Sequence, residues 1–267
     1  MLLTAEKLVK RFGGLAAVTD FSADIAEHEI VGLIGPNGAG KTTVFNLLTG
    51  AYKPSAGSIR VNGRDTLNCS PDRITALGLA RTFQNIRLFK EMSVLENVMT
   101  GFHTQNRSSI FDAVARRKKF RDEESRIERQ SFELLDLMGL AQKAHDPSRN
   151  LPYGEQRKLE IARALAASPK LLLLDEPAAG MNDSESAALQ ALLLKIHAQF
   201  KLSLLVIEHD MHFVMGLVQR LFVLDHGVTI AHGTPAEVRA NPAVIEAYLG
   251  RDDTAPHVGI ESGVTHG

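Results

Sequence analysis

The chain has 267 residues, 44% of them hydrophobic and 23% charged, the composition of an ordinary globular protein with enough chain to bury a full core. Thirty basic side chains stand against 31 acidic ones, a formal net charge of -1, which excludes a chain-wide field recruiting nucleic acid or an anionic membrane. A single cysteine, Cys69, excludes an intramolecular disulfide and a cysteine-built metal site, and fits a reducing compartment.

The first residues, MLLTAEKLVKRFGG, break their apolar positions with Glu6, Lys7, Lys10 and Arg11, unlike a secretory signal. The longest aliphatic run, Leu171 to Leu174, is far shorter than the ~20 residues of a spanning helix. Any membrane role is therefore expected to be peripheral.

Residues 2–34 read as strands and end in the continuous apolar run IVGLI, which suits a strand covered on both faces. Next comes GPNGAGKTT, residues 35–43, which fits G-x-x-x-x-G-K-[ST] and leads into a helix predicted through Val44 to Leu48 with its stop at Gly50. Strand, glycine-rich turn and helix are the context a phosphate-binding loop requires. Gly35, Asn37, Gly38, Ala39 and Gly40 let backbone N–H groups curl round a β-phosphate, Lys41 reaches the β/γ-phosphates, and Thr42, followed by Thr43, ligates Mg²⁺.

YKPSAGSIRVNG, from Tyr52, predicts a turn and a short strand, a hairpin element joining the core. Gln84 follows another short strand, in RTFQN. Ser93 to Glu96 form a capping box before a helix. Between Gly101 and Gly139 there is almost no strand signal, and the charged helical periodicity predicts a separate helical lobe. Its basic run, residues 116–121, is followed at once by the acidic Asp122 to Glu124, the pattern of a solvated helix face.

The hexapeptide LPYGEQ, Leu151 to Gln156, precedes a helix and then the run LLLLDEP. Beyond it the pattern alternates: a helix from about Ser184 to Gln199, strand SLLVIE, helix MHFVMGLVQR from Met211 to Arg220, strand LFVLD, a turn at His226-Gly227, and strand VTIAHG. Such alternation predicts a mainly parallel sheet wrapped by helices. Thr234 to Glu237 form a second capping box, and the polar, glycine-containing end is expected to fray.

A buried strand that delivers Asp175 to the carboxyl edge of a sheet offers a Mg²⁺ ligand, and Glu176 beside it can polarise a water. Alone, LLLLDE is equally a strand ending in a solvated turn. Next to the phosphate loop the hydrolytic reading dominates. Gln84 can reach metal and water through its amide, although an isolated loop glutamine is usually just exposed. His209, ending SLLVIEH, can contact a γ-phosphate, although such a histidine is more often a satisfied polar group. Phe12 offers a ring face to adenine, although an early aromatic is usually core.

In type and order, these elements resemble the ATP-binding cassette family, the ATPase subunits of ABC transporters, across residues 1–250. ARTFQNIRLFKEMSVLENVMTG, DEPAAGMN, VIEHDMHFVMG and GTPAEVRANPAVIEAYLG are similar to the cassettes of branched-chain amino acid importers. The resemblance implies an α/β P-loop NTPase fold: a mainly parallel core sheet, an antiparallel β subdomain, and an α-helical subdomain at about 87–165. The nucleotide-binding domain would occupy 1–250 and a flexible tail 251–267.

It further implies that two cassettes, identical or paralogous, sandwich two ATP molecules head to tail. Lys41 and Thr42 would hold phosphate and Mg²⁺, the latter with Gln84 and Asp175. Glu176 would activate water, His209 would sense the γ-phosphate, and Gly154 of the signature loop would donate its N–H across the dimer. Transmembrane permease subunits would dock in a groove around Gln84 to Phe102 on the cytoplasmic side of the membrane, served indirectly by a periplasmic or extracellular solute-binding protein. The alternatives are an exporter cassette of the lipopolysaccharide type and a soluble cassette acting on nucleic acid or ribosomes. A single cassette, no coiled-coil insertion and no net basic charge argue against the last.

Two departures stand out. A common signature reads Leu-Ser-Gly-Gly-Gln, whereas here only Leu151 and Gly154 keep their places, and Asn182 stands where many cassettes have Asp. Pro152 has neither hydroxyl nor N–H to give a phosphate. Either Gly154 and the helix dipole suffice, or this signature serves a weakened site. The latter is preferred on sequence, because importers of this type pair two different cassettes.

Overall fold

The computed structural model describes residues 1–102 and 118–249. Its strands are β1 (Leu3–Phe12), β2 (Leu15–Ile25), β3 (Ile30–Ile34), β4 (Ala56–Val61), β5 (Arg64–Asp65), β6 (Leu79–Arg81), β7 (Leu171–Asp175), β8 (Ser203–Ile207), β9 (Arg220–Asp225) and β10 (Val228–Gly233). Its helices are α1 (Lys41–Leu48), α2 (Pro71–Ala76), α3 (Val94–Gly101), α4 (Lys118–Leu137), α5 (Tyr153–Leu165), α6 (Asp183–Phe200), α7 (Met211–Met215), α8 (Pro235–Ala240) and α9 (Pro242–Leu249).

The strands form a four-stranded sheet of order β2-β1-β4-β5 and a six-stranded sheet of order β10-β9-β3-β8-β7-β6. The first is antiparallel throughout. In the second, β9, β3, β8, β7 and β6 run parallel, and β10 closes one edge antiparallel to β9. The hairpin expected from residues 52–63 thus joins the antiparallel sheet, where β4 pairs with β1, and not the parallel core.

The continuous apolar runs follow from burial on both faces. Along β7, Leu172 and Leu174 enter one hydrophobic cluster with Val94, Leu135 and Leu159 of the helices. Leu171 and Leu173 enter another with Leu8, Phe21 and Ile59 of the antiparallel sheet. β8 and β9 divide the same way: Leu204, Val206 and Val223 face the helices, whereas Leu205, Ile207 and Phe222 face the second sheet. Each leucine of β7 is fully buried, worth about 1.5–3 kcal/mol relative to exposure.

Both capping boxes form as expected, at Ser93/Glu96 and Thr234/Glu237. The helix expected over Met211 to Arg220 does not run that far. It ends at Met215, Leu217 and Val218 are buried off the helix, and Gln219 already bonds both ways with Ile30 of β3. Arg220 is the first residue of β9. The basic face expected at 116–121 lies mostly outside the described residues, and the tail at 251–267 lies wholly outside them.

Candidate nucleotide and metal site

The glycine-rich loop leaves β3 at the carboxyl edge of the parallel sheet, and its backbone is one that side chains would obstruct. At Gly35, φ is +149° and a Cβ would stand 2.0 Å from the carbonyl oxygen of Leu224; at Gly40, φ is +105° and a Cβ would stand 2.6 Å from that of Ala17. The loop is pressed between β9 and β2, and it turns directly into α1. That helix has neither a capping side chain nor an acidic residue in its first turn, so its positive end is left for an anion from outside the chain.

Lys41 is buried, and its Nζ donates to the carbonyls of Gly35 (2.7 Å) and Pro36 (2.9 Å). A cavity of about 490 Å³ opens above it, bounded by residues 37–43, Gln84 and Glu176. Ala16, Ala17 and His226 also line it, which no local motif signals. The His226-Gly227 turn is held to the loop by Gly227 N–H donating to Ala39 O, 2.9 Å.

Asp175, at the end of β7, is 1% exposed, and its Oδ2 accepts from Arg81 Nη2 at 2.7 Å. Arg81 also donates to Asn46 Oδ1 at 2.6 Å. Burial pushes the Asp175 carboxyl above the usual range, and the Arg81 guanidinium opposes that push. Asp175 Oδ1 is buried without a hydrogen-bond partner. Thr42, Gln84 and Asp175, expected to hold the metal, all line one cavity of about 580 Å³. Hydroxyl, amide and carboxylate oxygens suit Mg²⁺, a hard cation that keeps water and phosphate oxygens in its shell. The orphaned Oδ1 fits such an ion. Among the described residues no group of three or more His, Cys, Asp or Glu forms a metal cluster, and a Mg²⁺ shared with phosphates needs none.

Glu176 takes the left-handed conformation, φ +47°, with its N–H donating to Ile207 O at 2.9 Å. Its Oε2 accepts from Gln84 Nε2 at 2.9 Å, and its Oε1 lies 4.0 Å from His209 Nδ1. The structure thereby gathers Gln84, Glu176 and His209, which come from three separate loops. Behind them sits Glu208, buried and not foreseen from the sequence. Its Oε1 accepts from Ala178 N–H (2.8 Å) and its Oε2 from His209 N–H (3.3 Å), tying the loop after β7 to the loop after β8. Burial holds its carboxyl above the ordinary range.

Of the expected residues, His209 meets the cavity only through Glu176, and Phe12 and Gly154 stand apart from it. Phe12 is 44% exposed, edge-on to Tyr52 (centroids 5.4 Å) with Lys10 Nζ 5.0 Å from its ring, and neither Phe12 nor Gly154 lines the cavity. Gly154 lies in the first turn of α5, whose N-cap is Pro152, φ -54°. The Pro152 carbonyl accepts from Glu155 and Gln156 N–H at 3.0 and 2.9 Å, whereas among the described residues no acceptor meets the N–H of Tyr153 or Gly154. Asn182 N-caps α6 in a reciprocal box with Glu185, a task asparagine and aspartate perform about equally well. A further groove of about 630 Å³ is lined by Phe83, Arg87, Phe89, Met92 and Arg163.

A phosphate loop at a helix start, an acidic pair at the end of β7, two strands away in the same parallel sheet, and a glutamine and a histidine beside that pair define an α/β ATPase of the P-loop class. The chain belongs to the ABC transporter family: residues 18–179 match its model. Residues 228–254 match the model described as branched-chain amino acid ATP-binding cassette transporter. The chain is 45% identical over 249 residues, 93% of its length and 98% of the other, to the high-affinity branched-chain amino acid transport ATP-binding protein LivG of Salmonella typhimurium. It is 41% identical over the same shares to BraF of Pseudomonas aeruginosa, which carries the same description. Among solved structures, the ADP conformation of MJ1267, an ATP-binding cassette of an ABC transporter, superposes with a TM-score of 0.81 at 31% identity, covering 93% of this chain and 98% of that one.

Proposed function

We propose that the chain is the ATP-hydrolysing subunit of an importer for branched-chain or related small amino acids or amides, working as a pair of cassettes beneath transmembrane permease subunits on the cytoplasmic side. The observation that carries the hydrolytic part is the 2.9 Å hydrogen bond between Gln84 and Glu176 at the mouth of the phosphate-loop cavity, with His209 alongside. The solute class rests on what the relatives are described as serving and on the match at 228–254.

In this reading Lys41 exchanges its contacts with the Gly35 and Pro36 carbonyls for the β/γ-phosphates of ATP, and the loop amides at 37–42 cradle the β-phosphate. Phe12 stacks on adenine from β1. Thr42, Gln84 and Asp175 would hold Mg²⁺, whose charge would offset that of the phosphates. Gln84 would release Glu176 for the carboxylate to meet a water. Glu176 then takes a proton from water as the water oxygen attacks the γ-phosphorus, and ADP leaves. His209 contacts the departing phosphate. The second cassette's signature loop, equivalent to Pro152 to Gly154 here, completes the site, and no helix among the described residues is long and apolar enough to cross a membrane itself.

The reading is tested by isolating the chain from its native membranes. Copurification with permease subunits, and Mg²⁺-dependent ATP hydrolysis stimulated by solute-loaded binding protein, is the expected result. Recovery with ribosomes or nucleic acid and without permeases would contradict it.

A further inference from the structure

Signature helix α5 reaches back into the loop that carries Gln84. Arg157, 1% exposed, donates through Nη1 to Phe83 O at 2.6 Å, through Nη2 to Gln84 O, and through Nη2 to the Tyr153 hydroxyl at 3.1 Å. Glu160, also 1% exposed, sits one turn along the same helix. Its Oε2 accepts from Arg157 Nη1 at 3.0 Å and its Oε1 from Phe83 N–H at 3.2 Å. The buried pair thus grips the main chain of Phe83 from both its N–H and its carbonyl. Only the planar fork of arginine can reach both carbonyls and the carboxylate together.

A buried ion pair is weak evidence for stability, since well-packed apolar residues often replace one at no cost. Its geometry matters here for another reason. The Gln84 side chain lines this chain's own nucleotide cavity, whereas Tyr153 and Gly154 do not. We infer that Arg157 and Glu160 are positioning residues that join the Gln84 loop to the 152–154 loop as one rigid unit, so that Gln84's engagement by nucleotide in one site is felt at the loop serving the other. This deepens the composite-site reading above and rests on it. Tyr153 also lies near the loop following Glu176: its ring edge is 3.5 Å from where a Cβ on Gly180 would stand.

The test is hydrogen exchange read by mass spectrometry on the full chain, with and without MgATP, at concentrations where light scattering finds a monomer. The double variant Arg157→Met/Glu160→Met removes the clamp without leaving a buried charge alone. Wild type is expected to show nucleotide-dependent slowing at 35–43, 83–86 and 151–158. The double variant should bind ATP and protect 35–43 as before, exchange at Phe83 about tenfold faster without nucleotide, and lose the response at 151–158. Arg157→Lys, which keeps a cation for Glu160 but cannot span both carbonyls, is the second variant and should lose the same response. An undiminished response at 151–158 in these variants, or none in a wild type whose 35–43 is protected, overturns the clamp alone. A wild type with no protection at 35–43 overturns the nucleotide reading as well.

Discussion

Gln84 Nε2 donates to Glu176 Oε2 across 2.9 Å, joining the loop after β6 to the residue that follows β7. The bond occupies the carboxylate proposed as the base, so Gln84 would have to release it for Glu176 to meet a water. We propose that Gln84 is in this sense a latch on Glu176.

Lys41→Ala is expected to abolish tight ATP binding. Each hydrogen bond to a charged group is worth about 1.5–3 kcal/mol, and ~1.4 kcal/mol is tenfold in affinity. Calorimetric titration should show at least about a tenfold loss, and wild-type affinity would contradict the assignment of the loop.

Glu208 gives a pH signature. Its folded-state pKa is raised by burial above the ordinary 4.5, so the folded state holds the proton more tightly than the unfolded chain. The corresponding stability is full below about pH 4.5 and is lost as pH rises through the folded value. Glu208→Gln removes that dependence at the cost of a poorer partner for His209 N–H. Thermal melts from about pH 5 to about pH 8 should therefore show the variant gaining on wild type as pH rises. A constant gap would mean that Glu208 does not titrate in this range.

Phe89 is 51% exposed on the groove beside Phe83 and Arg163. Phe89→Glu is expected to lower recovery of permease subunits in copurification while leaving ATP affinity within about threefold, because a carboxylate on an apolar contact costs its desolvation. Intact assembly would move the docking surface elsewhere.

The weakened-site expectation at Pro152 has a structural alternative. The Pro152 carbonyl already receives first-turn amides of α5, and the N–H groups of Tyr153 and Gly154 have no acceptor among the described residues. We read the proline as a brace that fixes φ at the helix entrance and leaves phosphate contact to Gly154. Pro152→Ser in a Glu176→Gln background should then shift the ATP concentration for cassette association by less than about tenfold. A weakened site gaining a charged hydrogen bond would instead tighten association by roughly ten- to a hundredfold.

The local parts of this account were legible in the sequence. Gly35 and Gly40 announce the loop because their backbone geometry forbids a side chain, and the unbroken apolar runs of β3, β7 and β8 announce a sheet buried on both faces. The clamps were not legible, because each is a contact between segments far apart in the chain: Arg81 with Asp175, Glu208 with Ala178, and Arg157 with Phe83 and Gln84. Arg81, Arg157 and Glu208 carry no motif, and as single letters they read as solvated charges. The segment 211–220 was misjudged for the converse reason. Leu217 and Val218 are apolar because they are buried, and burial continues past the end of the helix into the approach to β9.

The central claim is that Glu176 is the base for ATP hydrolysis, and the most direct measurement is γ-phosphate release by the membrane-assembled complex carrying Glu176→Gln. The account predicts a fall of roughly 10²- to 10⁴-fold in rate with ATP binding preserved and an ATP-bound pair of cassettes trapped. Turnover within a few-fold of wild type would contradict it.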